Sequence, residues 1–364
     1  ELINSFPDKI GLKFYNAKIL FYQKNYAASL AELEKVINLT NEEKRAKMYN
    51  LKAKLFLKLN KPIRETCKTY EMSRRLDPSN IDNYKQLVKL NLLLGFENRK
   101  FTQQALAISQ FGLENIGKDE LVNNLKLYLY HIKALCRNYK RAEASQYLND
   151  VRDALLDSDT KNWLSKATLI KVYRKYFEVF HMCRFMDIDF ESDVFSVDVT
   201  KEIGKGGFGT VYEGKLKGKP VSVKLFNLQK NITTDEEADQ EENMVKLFDS
   251  IFKEISLMDI LSKNCDFILK VDAMFFRNNY KELTLITKLC KGGDYSKILR
   301  NKEMKIGVKT RLNILIQLAK AIQHIHSFER PYSHNDIKSL NVLFEEEFVN
   351  GGKNKIYLCD FGLA

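Results

Sequence analysis

The sequence predicts two folds in one chain: an all-α solenoid of helical hairpins, followed by an α+β domain. Two observations predict it. The first 190 residues hold only 4 of the 16 glycines, and their apolar residues recur at helical spacing. From about Ile188 the texture changes to short β-rich runs separated by glycines, interrupted by two helical patterns.

In the first region, Phe14, Ala17, Leu20 and Phe21 mark one helical face, and Leu51, Leu55, Phe56 and Leu59 another. Lys24-Asn25, Asn60-Lys61-Pro62, Asp77-Pro78 and Arg137-Asn138 punctuate the pattern as turns. A repeat emerges when Tyr26, Ile63, Thr102 and Tyr139 are set as openers of equivalent helices. Small residues then follow three positions later: Ser29, Thr66, Ala105 and Ala142. A small side chain there lets the two helices of a hairpin approach closely. Residues 158–186 continue as helix with Trp163, Leu169, Val172, Tyr176, Phe177 and Phe180. They are expected to cap the array and lead into the second domain, with Trp163 packed inside.

In the second region, strands are expected over Phe195–Ile203, Thr210–Tyr212 and Val221–Phe226. A helix from Met244 to Ser262 follows, then strands near Ile268–Phe276 and Leu283–Leu289 and an amphipathic helix over Lys309–Ser327. The acidic insertion Asp235–Glu242 reads as a solvated loop. The boundaries are therefore 1–157 for the helical repeats, 158–190 for a capping and linking helix, and 191–364 for the α+β domain.

Composition narrows the function. At 45% hydrophobic and 29% charged residues, with 5 prolines, the chain is of ordinary globular make-up. No apolar run reaches the roughly 18 residues that span a bilayer. The net charge of +12 is concentrated in residues 1–190, where 33 Lys and Arg face 22 Asp and Glu. Those charges are scattered rather than blocked, so they read as a solvated helical surface and no nucleic-acid partner is expected. The cysteines, Cys67, Cys136, Cys183, Cys265, Cys290 and Cys359, form no CxxC pair and lie beside no His cluster. They read as reduced thiols of a cytoplasmic protein, not as a zinc site.

Four motifs carry chemistry. Gly204, Gly206 and Gly209 form G-x-G-x-x-G with β-type residues on both sides, a hairpin whose glycines let the backbone approach phosphates. Val221-Ser222-Val223-Lys224 places an ammonium inside a strand, where it needs an anionic partner. Glu254, inside the apolar stripe of Leu247, Ile251, Ile255 and Met258, needs a cation in turn. His334-Asn335-Asp336-Ile337-Lys338-Ser339-Leu340-Asn341 and Asp360-Phe361-Gly362 complete the set.

In this order and at these spacings, the motifs resemble those of a eukaryotic protein kinase, over about residues 195–364. The Ser339 neighbourhood and Leu363-Ala364 resemble the tyrosine-kinase-like group of serine/threonine kinases. The helical repeat, with the ending Tyr70-x-x-Ser73-x-x-Leu76-Asp77-Pro78, resembles a degenerate tetratricopeptide array, whose period is about 34 residues. The usual Trp and Gly of its first helix are absent.

The kinase resemblance implies ATP and Mg²⁺ as cofactors and phosphoryl transfer to serine or threonine of protein substrates. Gly204, Gly206 and Gly209 would cover the ATP phosphates. Lys224 would hold the α- and β-phosphates, oriented by Glu254. Asp336 would accept the hydroxyl proton, Lys338 would steady the transferring group, and Asn341 and Asp360 would hold Mg²⁺. The adenine pocket would form from Val211, Ser222, Leu343, the gatekeeper Thr287, and the Lys288–Leu289–Cys290 hinge. Asp294 has two readings, a ribose contact and a helix cap. The tetratricopeptide resemblance implies protein partners.

Asn335 stands where the family has an Arg that pairs with an activation-loop phosphate, so activation by loop phosphorylation is not expected. The resemblance stops two residues after Gly362. The expectation is that the chain is a fragment of a longer protein, inactive as it stands, whose helix bearing Leu312, Leu315, Ile316, Ala319 and Ile322 lacks packing partners. The alternative reading is a pseudokinase or scaffold, in which the repeats are the function and the second domain only binds nucleotide.

Overall fold

Asparagine caps four of the helices among the described residues of the first region. The computed structural model describes residues 10–116, 120–185, 195–205, 209–228, 237–278, 280–301 and 303–362. After α1 (Ile10–Tyr22), the side chains of Asn25, Asn41, Asn80 and Asn98 accept hydrogen bonds from the backbone N–H groups of Ala28, Lys44, Asp82 and Lys100. They cap α2 (Tyr26–Glu34), α3 (Glu42–Lys58), α5 (Ile81–Leu94) and α6 (Arg99–Glu114). Each cap satisfies a donor that the first turn leaves unpaired. α4 (Ile63–Leu76) starts behind Pro62, and α7 (Leu121–Arg137) and α8 (Arg141–Leu156) complete the array. Each helix from α1 to α7 packs on the next. The described residues form two compact units that divide between Ala154 and Leu155.

The repeat exists, with a register different from the one expected. Tyr139 has a left-handed φ of 60°, in the turn before α8, as Lys24 has (62°) before α2. Tyr139 is therefore two residues early as a helix opener, and Thr102 is the fourth residue of α6, not its first. Counted from the true starts, the fourth residues of α2, α4, α6 and α8 are Ser29, Thr66, Thr102 and Ala144, and all are buried. Ala142 is exposed. The close approach is direct: Ser29 Oγ donates to the carbonyl of Ala17 at 2.6 Å. The hairpins are joined by buried amides, with Asn50 Nδ2 donating to Asn83 Oδ1 at 2.7 Å and Asn83 Nδ2 to Ser73 Oγ at 3.0 Å.

Residues 158–185 form α9 (Ser158–Asn162) and α10 (Lys166–Phe185), and both group with the second unit. Trp163 is not packed: it ends α9 and is 82% exposed. The buried aromatics are Tyr173, Tyr176, Phe177 and Phe180 of α10, which repeat at helical spacing while Trp163 lies outside that helix.

The second unit begins with β1 (Phe195–Lys205), β2 (Thr210–Leu216) and β3 (Lys219–Asn227). α11 (Glu237–Leu261), β4 (Val271–Arg277) and β5 (Glu282–Lys288) follow. These strands make one antiparallel sheet in the order β1-β2-β3-β5-β4. Val221, Val223, Ala273 and Ile286 are buried on it. Part of the acidic insertion is helical: α11 starts at Glu237, and Glu242 pairs with Lys166 at 2.9 Å and Lys246 at 2.8 Å. Acidic side chains suit the first turns of a helix, where the macrodipole is positive. Asp235 and Glu236 lie outside the described residues.

Then come β6 (Gly293–Asp294), α12 (Tyr295–Arg300), α13 (Val308–His326), β7 (Val342–Phe344) and β8 (Ile356–Leu358). β6, β7 and β8 form a small antiparallel sheet. α13 buries Ile314, Gln317, Ala321 and Ile325, and leaves Leu312, Leu315 and Ile316 exposed. One apolar cluster joins α11, α13 and the chain after β8 through Met258, Leu261, Ala321, Ile325, Leu358 and Phe361. That cluster seats the polar loops between β6 and residue 362.

Candidate active site

β3 and α11 bring the two opposite charges together as their sequence contexts require. Lys224 Nζ lies 2.6 and 2.8 Å from the two oxygens of Glu254. Glu254 is 8% exposed and sits on the helix that also buries Leu247, Ile251, Ile255 and Met258. An unpaired carboxylate in that position would carry a large desolvation cost. Lys224 pairs in register with Val211 of β2 and Leu285 of β5, so the strands on either side fix its direction.

The glycine hairpin lies over the same strand. Gly204 faces Val211 across the β1–β2 ladder. At Gly209 a Cβ would come within 2.6 Å of the Leu225 carbonyl oxygen, so only glycine fits there. Gly204 has room for a Cβ, with Val211 no nearer than 3.8 Å, so nothing in the folded chain itself demands glycine at that position. Gly206 lies outside the described residues.

At the far end of the sheet, Thr287 is buried and faces Ser222 of β3. Leu289 and Cys290 follow as extended chain, both half-buried. Burial pushes the Cys290 thiol up to about 12, which makes it a neutral lining group rather than a nucleophile. Leu343 is half-buried on β7, opposite Asp294 and Tyr357. Asp294 caps α12, accepting from Lys297 N at 3.1 Å and from Ser296 Oγ. Of its two sequence readings, the cap is thus in place. The Lys288 side chain, expected only as hinge backbone, bonds Glu345, which also accepts from Tyr357 OH at 3.1 Å.

The segment from His334 to Asn341 is held by its own polar groups. His334 is buried, with Nε2 3.0 Å from the Cys359 carbonyl. Its Nδ1 accepts from Asp336 N at 3.3 Å, which makes Nε2 the protonated nitrogen. The imidazole therefore ties Asp336 to the chain just after β8, and its ring packs 4.7 Å from that of Phe361. Asn341 Nδ2 donates to Asp336 O at 2.9 Å and to Oδ2 at 3.1 Å, and Lys338 Nζ donates to Oδ2 at 2.5 Å. The Lys338 hydrogen bond, with that of Asn341, holds the Asp336 carboxyl below its ordinary range, so it stays ionised.

Asn335 has a left-handed φ of 58°, a conformation that Asn tolerates far better than Arg. That backbone geometry gives a physical reason for Asn at a position expected to hold Arg. Asp360 is also left-handed, with φ of 67°, which leaves it exposed while Phe361 beside it is fully buried.

The sequence named His334 only as the head of its motif, without a role, and did not single out Glu345 or Tyr357. A buried His at the head of a polar loop was the available signal for the first; nothing local marks the other two.

The comparisons with known proteins agree with this geometry. Residues 197–364 match the family model of the protein kinase domain. Over 266 residues, 69% of this chain, the protein is 26% identical to a serine/threonine-protein kinase/receptor, R826, of Acanthamoeba polyphaga mimivirus, of which that covers 14%. It is 32% identical over 178 residues to the RasGEF domain-containing serine/threonine-protein kinase X of Dictyostelium discoideum, covering 49% of this chain and 15% of that one. It is 26% identical over 169 residues to the stress-activated protein kinase alpha of the same organism, covering 46% and 23%. The chain thus spans less than a quarter of the length of each of these relatives. Over residues 197–364 the chain is thus similar to protein kinase domains, and the relatives it matches there are named serine/threonine kinases.

Proposed function

We propose that the protein transfers the γ-phosphoryl group of ATP to serine or threonine hydroxyls of protein substrates. The Lys224–Glu254 pair carries the reading: its two contacts, at 2.6 and 2.8 Å, hold an ammonium in the fixed place a phosphate needs. Phosphoryl transfer needs positioning and charge neutralisation more than covalent chemistry. Lys224 binds phosphate oxygens, Asp336 takes the hydroxyl proton, and Lys338 neutralises charge at the transferring group. Asn341 and Asp360 supply hard oxygen donors, and no cluster of three His, Cys, Asp or Glu stands among the described residues. That donor set fits Mg²⁺ shared with substrate phosphates, not a metal held in a cage of protein ligands. When bound there, Mg²⁺ would neutralise phosphate charge.

Serine or threonine specificity rests on Lys338 between Asp336 and Asn341 and on the relatives' names. Phosphoamino-acid analysis of proteins labelled by the full-length enzyme should give phosphoserine and phosphothreonine; mainly phosphotyrosine would refute it. The finer assignment, to the tyrosine-kinase-like group, is supported by the Ser339 neighbourhood. A cytoplasmic location is supported by the spacing of the cysteines, which form no CxxC pair. No helix among the described residues is long and apolar enough to cross a membrane.

The helical array, read as tetratricopeptide-like, would recruit protein partners. A groove of about 530 Å³ between α4, α5 and α6 supports this: its lining includes Arg64, Lys68, Arg74 and Arg75 against the single acid Glu71, which pairs with Arg74 and Arg75, beside Leu87, Leu94 and Ile108. Its charge fits an acidic, partly apolar peptide. A peptide of Glu and Leu should bind the full chain in a salt-sensitive way and lose most of its affinity with Arg64→Glu and Lys68→Glu. Equal binding of a Lys and Leu peptide would contradict the proposal.

A further inference from the structure

The helix that carries Glu254 is gripped from its other side. α10 lays its aromatic face on α11: the ring of Tyr173 lies 5.3 Å from that of Phe252 and that of Tyr176 4.9 Å from it. The ring of Phe177 lies 6.0 Å from that of Phe248 and 6.3 Å from that of Phe276, at the end of β4. Aromatic packing of this kind draws most of its energy from buried area and sets position less strictly than hydrogen bonds do. Three polar ties remove that freedom. Lys166 meets Glu242 at 2.9 Å, Lys161 Nζ and Tyr173 OH both donate to Asp249 Oδ1 at 2.7 Å, and Arg184 meets Asp259 at 3.2 Å.

The ties bracket Glu254, which lies five residues from both Asp249 and Asp259 along α11. The Lys166 tie is solvent-exposed and contributes little. The Asp249 tie is different. Burial pushes its carboxyl up, but the hydrogen bonds from Lys161 and Tyr173 outweigh this and hold it below its ordinary range. It is a charge-assisted, two-donor bond at the aromatic contact, of the kind that fixes geometry.

Given the kinase reading above, we infer that Lys161, Tyr173 and Asp249 are positioning residues for phosphoryl transfer. They set the register of α11 so that both oxygens of Glu254 reach Lys224. They touch neither nucleotide nor acceptor, and act through the pair. A shift of α11 by one ångström would break contacts of 2.6 and 2.8 Å.

The test is a double-mutant cycle on the full-length protein, reading kcat and KM for ATP with a generic protein acceptor. Asp249→Ala, and Tyr173→Phe combined with Lys161→Met, should each lower kcat/KM about tenfold, the scale of one lost hydrogen bond to a charged group. Lys161→Arg should retain most of the activity. Lys171→Ala, on an exposed position of α10, should leave it unchanged. The deciding arm adds Asp249→Ala to Glu254→Gln. If the tie acts through Glu254, the second substitution costs little more once Glu254 is gone. A fully multiplied loss, or no loss from Asp249→Ala alone, overturns the inference and leaves the kinase reading standing. Absence of transfer by the wild-type protein removes the kinase reading itself, and the inference with it.

Discussion

Asp336→Asn lowers phosphoryl transfer by about 10²- to 10⁴-fold, the usual worth of a positioned general base. The substitution keeps shape and hydrogen-bonding atoms. Asn can still accept from Lys338 and Asn341, which now bond the Asp336 carboxylate at 2.5 and 3.1 Å. The His334 bond to the backbone N–H of residue 336 is untouched, so the loop remains anchored. What is lost is the charge that takes the acceptor proton. The fall should therefore appear in kcat, with KM for ATP and the melting temperature nearly constant. A variant that loses activity only because it melts earlier would show that residue 336 supports the loop and does not act in the reaction.

Lys224→Met should also abolish transfer, and it should cost stability. It leaves Glu254 in an apolar helix face without its partner. Breaking a buried pair costs about 3–5 kcal/mol; here the cost is nearer 1–3 kcal/mol, because the Lys224 side chain is 23% exposed. The double variant Lys224→Met with Glu254→Leu replaces both charges by apolar groups, a change that is close to neutral for stability. The two readouts then separate: the double variant recovers the melting temperature and gains no activity. Recovered activity would show that the pair serves the fold alone.

Lys224 and Glu254 were legible in the sequence because each carries its own local demand, whereas Asp336, Lys338, Asn341 and Asp360 were placed by the resemblance of their motifs to those of a kinase. A lysine inside a β-run and a glutamate inside an apolar helical stripe both need a counter-charge, and the fold supplies one from the other. Gly209 was legible from the G-x-G-x-x-G spacing, and the structure supplies the reason for it, since a Cβ there would meet the Leu225 carbonyl oxygen. The clamp of α10 on α11 was not legible. Aromatic spacing in Tyr173, Tyr176, Phe177 and Phe180 says that a face is buried, but not against which partner, and Asp249 looks like any surface carboxylate of a long helix. The repeat was found and its register missed, since matching Tyr26 to Tyr139 followed side-chain likeness, while the helix starts follow the turns at Lys24 and Tyr139. Trp163 was misplaced for a related reason: an aromatic at helical spacing was assigned to a helix that ends just before it.

The account stands on a phosphate-binding ammonium fixed by Glu254. Calorimetric titration of the full-length protein with ATP in the presence of Mg²⁺ tests it most directly. The account predicts one binding site per chain, weakened when Mg²⁺ is withheld and lost with Lys224→Met. Failure of the wild type to bind, or undiminished binding to the Lys224→Met protein, would contradict it.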